Sequence, residues 1–470
     1  MLRLRCAAPL IAAFFLASAC GSDTTTTADP NAAGPNFPPT EGKGGTVIDL
    51  SGDSRRGKSR SCAKSNPGTD NKCGGVAGDD KALGNTDCCE TRVVQGGSYN
   101  RFNNPKFPAT VSTFQLDTFL VTAGRFRAWV DEMKGNLRSS SPPAGAGAHP
   151  KIPNSGWRTE WNRFLPTSRA EVDRMFSRED SVEGNLACQF GTNIYEQGAL
   201  TWWTAQLEKE IKDTTEDEDV RAENTKEALD RKPINCIPWQ VLFAFCIWDG
   251  GRLPTDAEFG YAAAGGSEQR RFPWGNMEDG DLAPIGDLQN VSFVPTFTAG
   301  KKYMAARLWD TRIGNGKNVF EDNYGLTWGA NTFDEVLGNA QHIMPVGRRP
   351  DGAGKWGQLD LAGNMFEWML DEGPIQPGTC KDCANVDFPK PTEFDPKVDM
   401  DPERKPDFHN KTAGGVSWWR GGARSIRGGA WDNAYMLSNS PTEGEIDYYT
   451  AYPLLRTYRS LGGRCARNPD

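Results

Sequence analysis

Residues Ile426–Ser440 read IRGGAWDNAYMLSNS. An Arg, a Gly-Gly turn and a Trp ahead of a polar run look like the rim of an active site. Yet the stretch holds no cysteine, histidine or glutamate, and its only carboxylate is Asp432. The thiols lie elsewhere. Of the 12 cysteines, Cys6 and Cys20 fall in the amino-terminal leader, leaving Cys62, Cys73, Cys88, Cys89, Cys188, Cys236, Cys246, Cys380, Cys383 and Cys465. An even number of cysteines in an exported chain implies disulfides. Zinc is the rival use for Cys380-Lys-Asp-Cys383, but no second C-x-x-C and no nearby His completes a tetrahedral set.

Export is read from residues 1–20, MLRLRCAAPLIAAFFLASAC. Arg3 and Arg5 make a basic start, and Ala7–Ala19 is an apolar core too short to span a bilayer. Two processing routes end at the same bond. Ala17-Ser18-Ala19 is an A-x-A cleavage site, and L-A-S-A-C resembles a bacterial lipoprotein signal that leaves Cys20 lipidated. Residues 21–60 are mostly polar Thr, Pro, Gly and Asn, which cannot bury a core and behave as a tether. The expectation is a lipoprotein held in a membrane of the bacterial cell envelope, in the periplasm or at the surface, with free secretion as the alternative.

The 470 residues are 37% apolar and 24% charged with a net charge of −8, a globular balance that excludes a disordered or nucleic-acid-binding chain. Fifteen Trp, 52 Gly and 31 Pro point to a loop-rich fold whose irregular segments are pinned by indoles. Residues 61–90 carry four cysteines and almost no large apolar residue, so this segment is expected to be stapled by its own cystines. The main domain, 91–470, opens with RVVQGGSYNRF. FQLDTFLVT reads as a strand ending at Thr122, which then caps a helix with Phe126, Trp129, Val130 and Met133 on one face. Residues 139–147 form a loop, and QLEKEIKDTTEDEDVRAENTKEALDRK a solvated charged insertion with helix in part of it. A helix from about Trp239 to Trp248 stops at Gly250-Gly251. The next starts at Thr255, whose T-x-x-E spacing to Glu258 is a capping box. FPWGN (272–276) opens a long loop region, and strand-like runs return in LDLAGNMFEWMLD, SIRGGAWD and LGGRCAR.

Four of these motifs, GGRLPTDAEFGYAAAGG, FPWGN, LDLAGNMFEW and IRGGAWDN…GGRCAR, resemble in order and spacing the sulfatase-modifying-factor domain of the formylglycine-generating enzymes. The likeness runs from roughly Arg92 to Asn468, and the Cys-rich front resembles a bacterial lipoprotein branch of the family. It implies an α+β fold, a loop-rich, disulfide-stapled variant of the C-type lectin architecture. Family enzymes oxidise a substrate cysteine with O2 through a copper ion on two cysteines, a thiolate pair suited to Cu(I). Those positions fall near Asn433 and Ser438, an amide and a hydroxyl, so the resemblance implies a framework without its copper ligands. A distant pair such as Cys380/Cys383 taking over is the alternative. A sister branch holds iron through three His, but His149, His342 and His409 are scattered and lack its H-x-x-x-E-x-H spacing.

The resemblance also implies a structural Ca²⁺ on Asp360 and Glu367, with backbone oxygens of Gly363 and Met365. A hard cation wants several oxygens at about 2.3–2.6 Å, and a Gly-containing turn can aim carbonyls at one point. A tight turn anchored by Trp368 without an ion is the alternative. Asn290-Val291 could begin a second family Ca²⁺ site. Cys246 and Cys465 match two family cysteines that form a disulfide; Cys188 with Cys236 and Cys380 with Cys383 are the further expected pairs. Arg427, Trp431 and Asp432 lie where the family lines a peptide-binding groove, the alternative being an internally paired Arg427 and a core Trp431. No E-P-N or Q-P-D occurs, so direct sugar chelation is not supported. Three functions stay open: a non-catalytic domain that binds a protein, peptide or glycan, an oxygen-dependent cysteine oxidase, and a structural surface protein.

Overall fold

Thr122 accepts the backbone N–H of Arg125 and starts α1, Ala123–Glu132, as its position before an apolar stripe predicts. Phe126, Trp129 and Val130 are fully buried, and Met133 closes the helix. The structure is a computed structural model that describes residues 59–74, 86–176, 200–214, 216, 218–270, 272–275, 343–348, 352–372, 378–386, 423–429, 452–453 and 461–469. Among them, strands β1 (Thr91–Val94), β2 (Gly97–Asn100), β3 (Pro108–Val111) and β4 (Phe114–Asp117) precede α1. The strand expected to run to Thr122 stops at Asp117. Beyond it the backbone is held by separate segments: Thr118 N–H donates to Glu90 O, Val121 N–H to Gly463 O, and Val121 O accepts from Ile234 N–H.

Helix α2 (Arg169–Met175), capped by Ser168, follows. The charged insertion carries α3 (Ala205–Thr214), α4 (Glu218–Glu223) and α5 (Lys226–Asp230). Helix α6, Trp239–Trp248, is apolar almost all round, and nine of its ten residues are buried. That pattern belongs to a helix run through the middle of a core. Helix α7, Asp256–Ala263, begins with the expected capping box: Thr255 Oγ1 accepts from Glu258 N–H, and Glu258 Oε2 accepts from Thr255 N–H. Strands β5 (Phe366–Glu372), β6 (Cys380–Lys381), β7 (Ala423–Arg427), β8 (Tyr452–Pro453), β9 (Leu461–Gly462) and β10 (Ala466–Arg467) follow.

The described strands form three sheets: β1-β4-β10, antiparallel throughout, and β2-β3-β6 and β8-β7-β5-β9, each with one parallel pairing. Strand β5 is central in its sheet, antiparallel to β7 with Glu367 opposite Arg427, and parallel to β9. Trp157 and Trp202, outside helices and strands, and Trp161, in the short 3-10 helix Thr159–Phe164, are buried against α1 and α6, so indoles do pin irregular segments. Each such side chain gains about 3 kcal/mol over remaining exposed.

The Cys-rich segment is closed by Cys62–Cys89 and Cys73–Cys88 and is built onto the rest of the domain. Ser61 N–H donates to Asp249 Oδ1 at 2.8 Å, and Ser61 Oγ accepts from Arg125 Nε. Around that point Arg125 pairs with Asp117 at 2.8 Å and Asp249 at 2.6 Å, and Arg467 pairs with the same two carboxylates. All four side chains are buried. Each charge has a partner of the opposite sign, which is what allows them there.

Candidate functional site

The turn that enters β5 aligns the expected ion-ligand residues within eight positions. Asp360, Gly363 and Asn364 all have left-handed backbone (φ 57, 87 and 63°). Asp360 Oδ2 accepts from Gly347 N–H at 2.7 Å, and Gly363 N–H donates to Gly428 O at 2.7 Å. The Asn364 side chain clamps both the N–H and the C=O of Met344. Met365 is buried, with its N–H on Gly363 O at 2.8 Å. Trp368 donates Nε1–H to Ile237 O at 2.8 Å from a fully buried ring, the anchor the sequence suggested.

Glu367 is fully buried, and both its oxygens accept from Arg464, Nε and Nη2 at 2.7 Å each. Burial raises its carboxyl above the ordinary range; Arg464 opposes the rise, and the nearby charges of Asp360 and Asp117 add to it. Three carboxylates thus lie near one guanidinium. A positive charge here would relieve the repulsion between Asp360 and Glu367, and the carbonyls of Gly363 and Met365 come between them in sequence, the oxygen chemistry a hard cation takes. Asn290 and Val291 lie outside the described residues.

The neighbouring strand corrects one expectation. Arg427, placed at a groove rim by resemblance, is buried rather than exposed. Its Nε donates to Asp256 Oδ2 at 2.5 Å, and its guanidinium lies 4.5 Å over the Phe102 ring. The reason is Asp256, the first residue of α7, which the sequence reading did not single out. Asp256 Oδ2 also accepts from Ser425 Oγ at 2.8 Å, and Asp256 N–H donates to Asp371 Oδ2 at 2.7 Å. Burial, then the charge of Asp256, pushes the Asp371 carboxyl up to about 8. The T-D-A-E motif was the available signal: a carboxylate in the first helical turn is placed to meet cations. Trp431, Asp432, Asn433 and Ser438 lie outside the described residues.

The thiols are accounted for differently from the way a copper site would use them. Cys246 and Cys465 are joined with an S–S distance of 2.05 Å across a separation of 219 residues. Cys380 and Cys383 form the local pair, so neither sulfur is a zinc or copper thiolate here. Cys236 is disulfide-bonded too, while Cys188 lies outside the described residues. All nine cysteines among the described residues are in disulfides. Sulfurs of Cys62 and Cys89 lie near an Asp87 oxygen, but they are bonded to each other. His149 is a satisfied buried residue. Its Nδ1 accepts from Lys151 N–H, and its Nε2 is 3.5 Å from Glu258. His342 and His409 lie outside the described residues.

Known proteins bear out the resemblance. The formylglycine-generating enzyme of Mus musculus is 33% identical over 190 residues, 40% of this chain and 39% of that protein. A Bos taurus protein named inactive C-alpha-formylglycine-generating enzyme 2 is 30% identical over 140 residues, 30% of this chain and 33% of that protein. The matched part therefore spans well under two thirds of these relatives. The solved structure of PvdO from Pseudomonas aeruginosa covers 81% of this chain and 94% of its own, at 14% identity and a TM-score of 0.34. The pattern of the sulfatase-modifying factor enzyme 1-like domain matches residues 76–469, and with that extent matched the chain belongs to this family, the formylglycine-generating-enzyme-like proteins.

Proposed function

We propose that the protein is a non-catalytic member of its family, a domain that binds a protein, peptide or glycan and is held at the bacterial cell envelope through a lipid on Cys20. One observation carries the reading. By the family resemblance the copper-thiolate positions fall near Asn433 and Ser438, neither of them a thiol, and every described cysteine is tied up in a disulfide. An amide and a hydroxyl are poor ligands for Cu(I). A relative named inactive within the same family supports the same direction.

On this reading the fold is the family's variant of the C-type lectin architecture, with its disulfides as staples. A structural Ca²⁺ would be held by Asp360 and Glu367 with the carbonyls of Gly363 and Met365, and a second on Asn290 and Val291 would follow the family. Such an ion fixes a loop and neutralises buried carboxylates; it needs no open coordination position. Trp431 and Asp432 would then line the groove, with Arg427 beneath it.

The test is incubation of the purified, copper-loaded chain with a C-x-P-x-R peptide and O2, read by mass spectrometry. The expected result is an unchanged thiol. Conversion of the thiol to an aldehyde would overturn the reading in favour of the oxidase. A glycan and peptide array then reads binding, and silence across it would favour a structural surface protein.

A further inference from the structure

Beneath Phe102 a buried guanidinium has a buried nitrogen without a hydrogen-bond partner among the described residues. Arg427 Nε is committed to Asp256, but the equally buried Nη2 has no hydrogen-bond partner among the described residues. The side chain is only 5% exposed, so water does not serve it freely. A charged donor left unsatisfied in a desolvated place is costly. The cost disappears if an acceptor arrives from outside.

The surrounding charges favour the same supply. Asp256, Arg101, Arg427 and Asp371 all act on the buried Tyr99 hydroxyl, so they share one neighbourhood. Burial and then the charge of Asp256 raise the Asp371 carboxyl to about 8, which weakens it as a counter-charge for the guanidinium groups around it. A guanidinium's planar donors match a carboxylate in geometry.

The cover over Arg427 is a strained turn. Phe102 and Asn103 are consecutive non-glycine residues with φ of 58° and 51°. Gln269, itself at φ 51°, holds them through hydrogen bonds from its amide nitrogen to Asn100 O and Asn103 Oδ1. Such strain persists where the surroundings enforce it, and it concentrates at ligand clamps. Phe102 is half-buried, so its ring can swing away without emptying the core.

We propose that Arg427 is the floor of a carboxylate-binding site covered by the ring of Phe102. The assignment rests on the reading that this domain takes up a ligand, and it names the group recognised. The carboxylate could belong to a peptide or to an acidic sugar. Calorimetry on the full chain at low salt distinguishes these sources, with N-acetylglycine against N-acetylglycinamide in one arm and glucuronate against glucose in the other.

The expected result is saturable binding of the acid, and not its neutral analogue, in at least one arm. Binding should tighten in Phe102→Ala and weaken about tenfold or more in Arg427→Gln. Should Arg427→Gln not fold, the Phe102→Ala comparison still decides. No preference for either acid in the wild type and in Phe102→Ala would overturn the site. An array ligand that binds equally well with saturating acetate present would overturn it too, while leaving the ligand-binding reading intact.

Discussion

Arg464 donates to both oxygens of Glu367 from 97 positions further along the chain, and neither side chain reaches solvent. The same guanidinium also donates to the carbonyls of Asp117, Thr118 and Leu359. It thus ties the carboxyl-terminal strands to the end of β4 and to the turn before β5. Arg464→Met strands a buried carboxylate and three carbonyls, and should cost about 3–5 kcal/mol. Glu367→Gln removes the counter-charge of Arg464 but leaves its guanidinium on an amide oxygen and the three carbonyls, so it should cost less. Urea midpoints for both variants check the order; a loss below about 1 kcal/mol for Arg464→Met would mean that the pair is solvated.

Two buried carboxyls should give the stability curve opposite slopes. Burial alone would raise Glu258, but Arg252, through its charge and hydrogen bonds, and then His149 hold it down at about 2. A depressed acid stabilises the fold above its unfolded value and loses that contribution as pH falls through about 2. Asp371, raised to about 8, does the reverse: its contribution is complete below its ordinary value of 3.8 and is lost as pH rises through about 8. Chemical denaturation across this range should show Glu258→Gln flattening the acid limb and Asp371→Asn flattening the fall toward neutral pH. If the curves of both variants run parallel to the wild type, the assigned shifts are wrong.

The Cys246–Cys465 bond closes the longest loop among the described disulfides, 219 residues. In the chain-entropy model such a closure contributes about 5 kcal/mol. Cys246→Ser should therefore lower the urea midpoint markedly, and Cys380→Ser, which opens a loop of three, far less. Peptide mapping without reduction should recover Cys246 linked to Cys465; recovery of free Cys246 would refute the bond.

Calcium should raise the melting temperature, and a chelator should reverse the rise. At about a hundredfold excess over its Kd, a native-state ligand adds about 2.7 kcal/mol. Asp360→Asn should abolish most of the response while leaving the Glu367–Arg464 pair in place. Identical melting curves with calcium and with chelator would remove the ion from the account.

Short-range pattern carried the helices. Thr122 before an apolar stripe and Thr255-x-x-Glu258 each specify a cap, because the atoms that meet are three residues apart. Helix α6 was equally legible, since a run apolar on every side has nowhere to go but the core. The end of β4 was misread because residues 118–121 bond to segments far away in sequence, including Glu90 and Gly463. Arg427 was placed at a rim for the same reason: its partner Asp256 lies 171 positions away.

The sequence by itself therefore determined the helix caps, the apolar central helix and the family, all properties of residue identity or local spacing. Tertiary structure alone decided which charges meet. Only folding brings Arg464 to Glu367, Arg467 and Arg125 to Asp117 and Asp249, and Arg427 to Asp256. A buried charge is tolerated only beside its opposite, and no local rule says which distant segment will supply it.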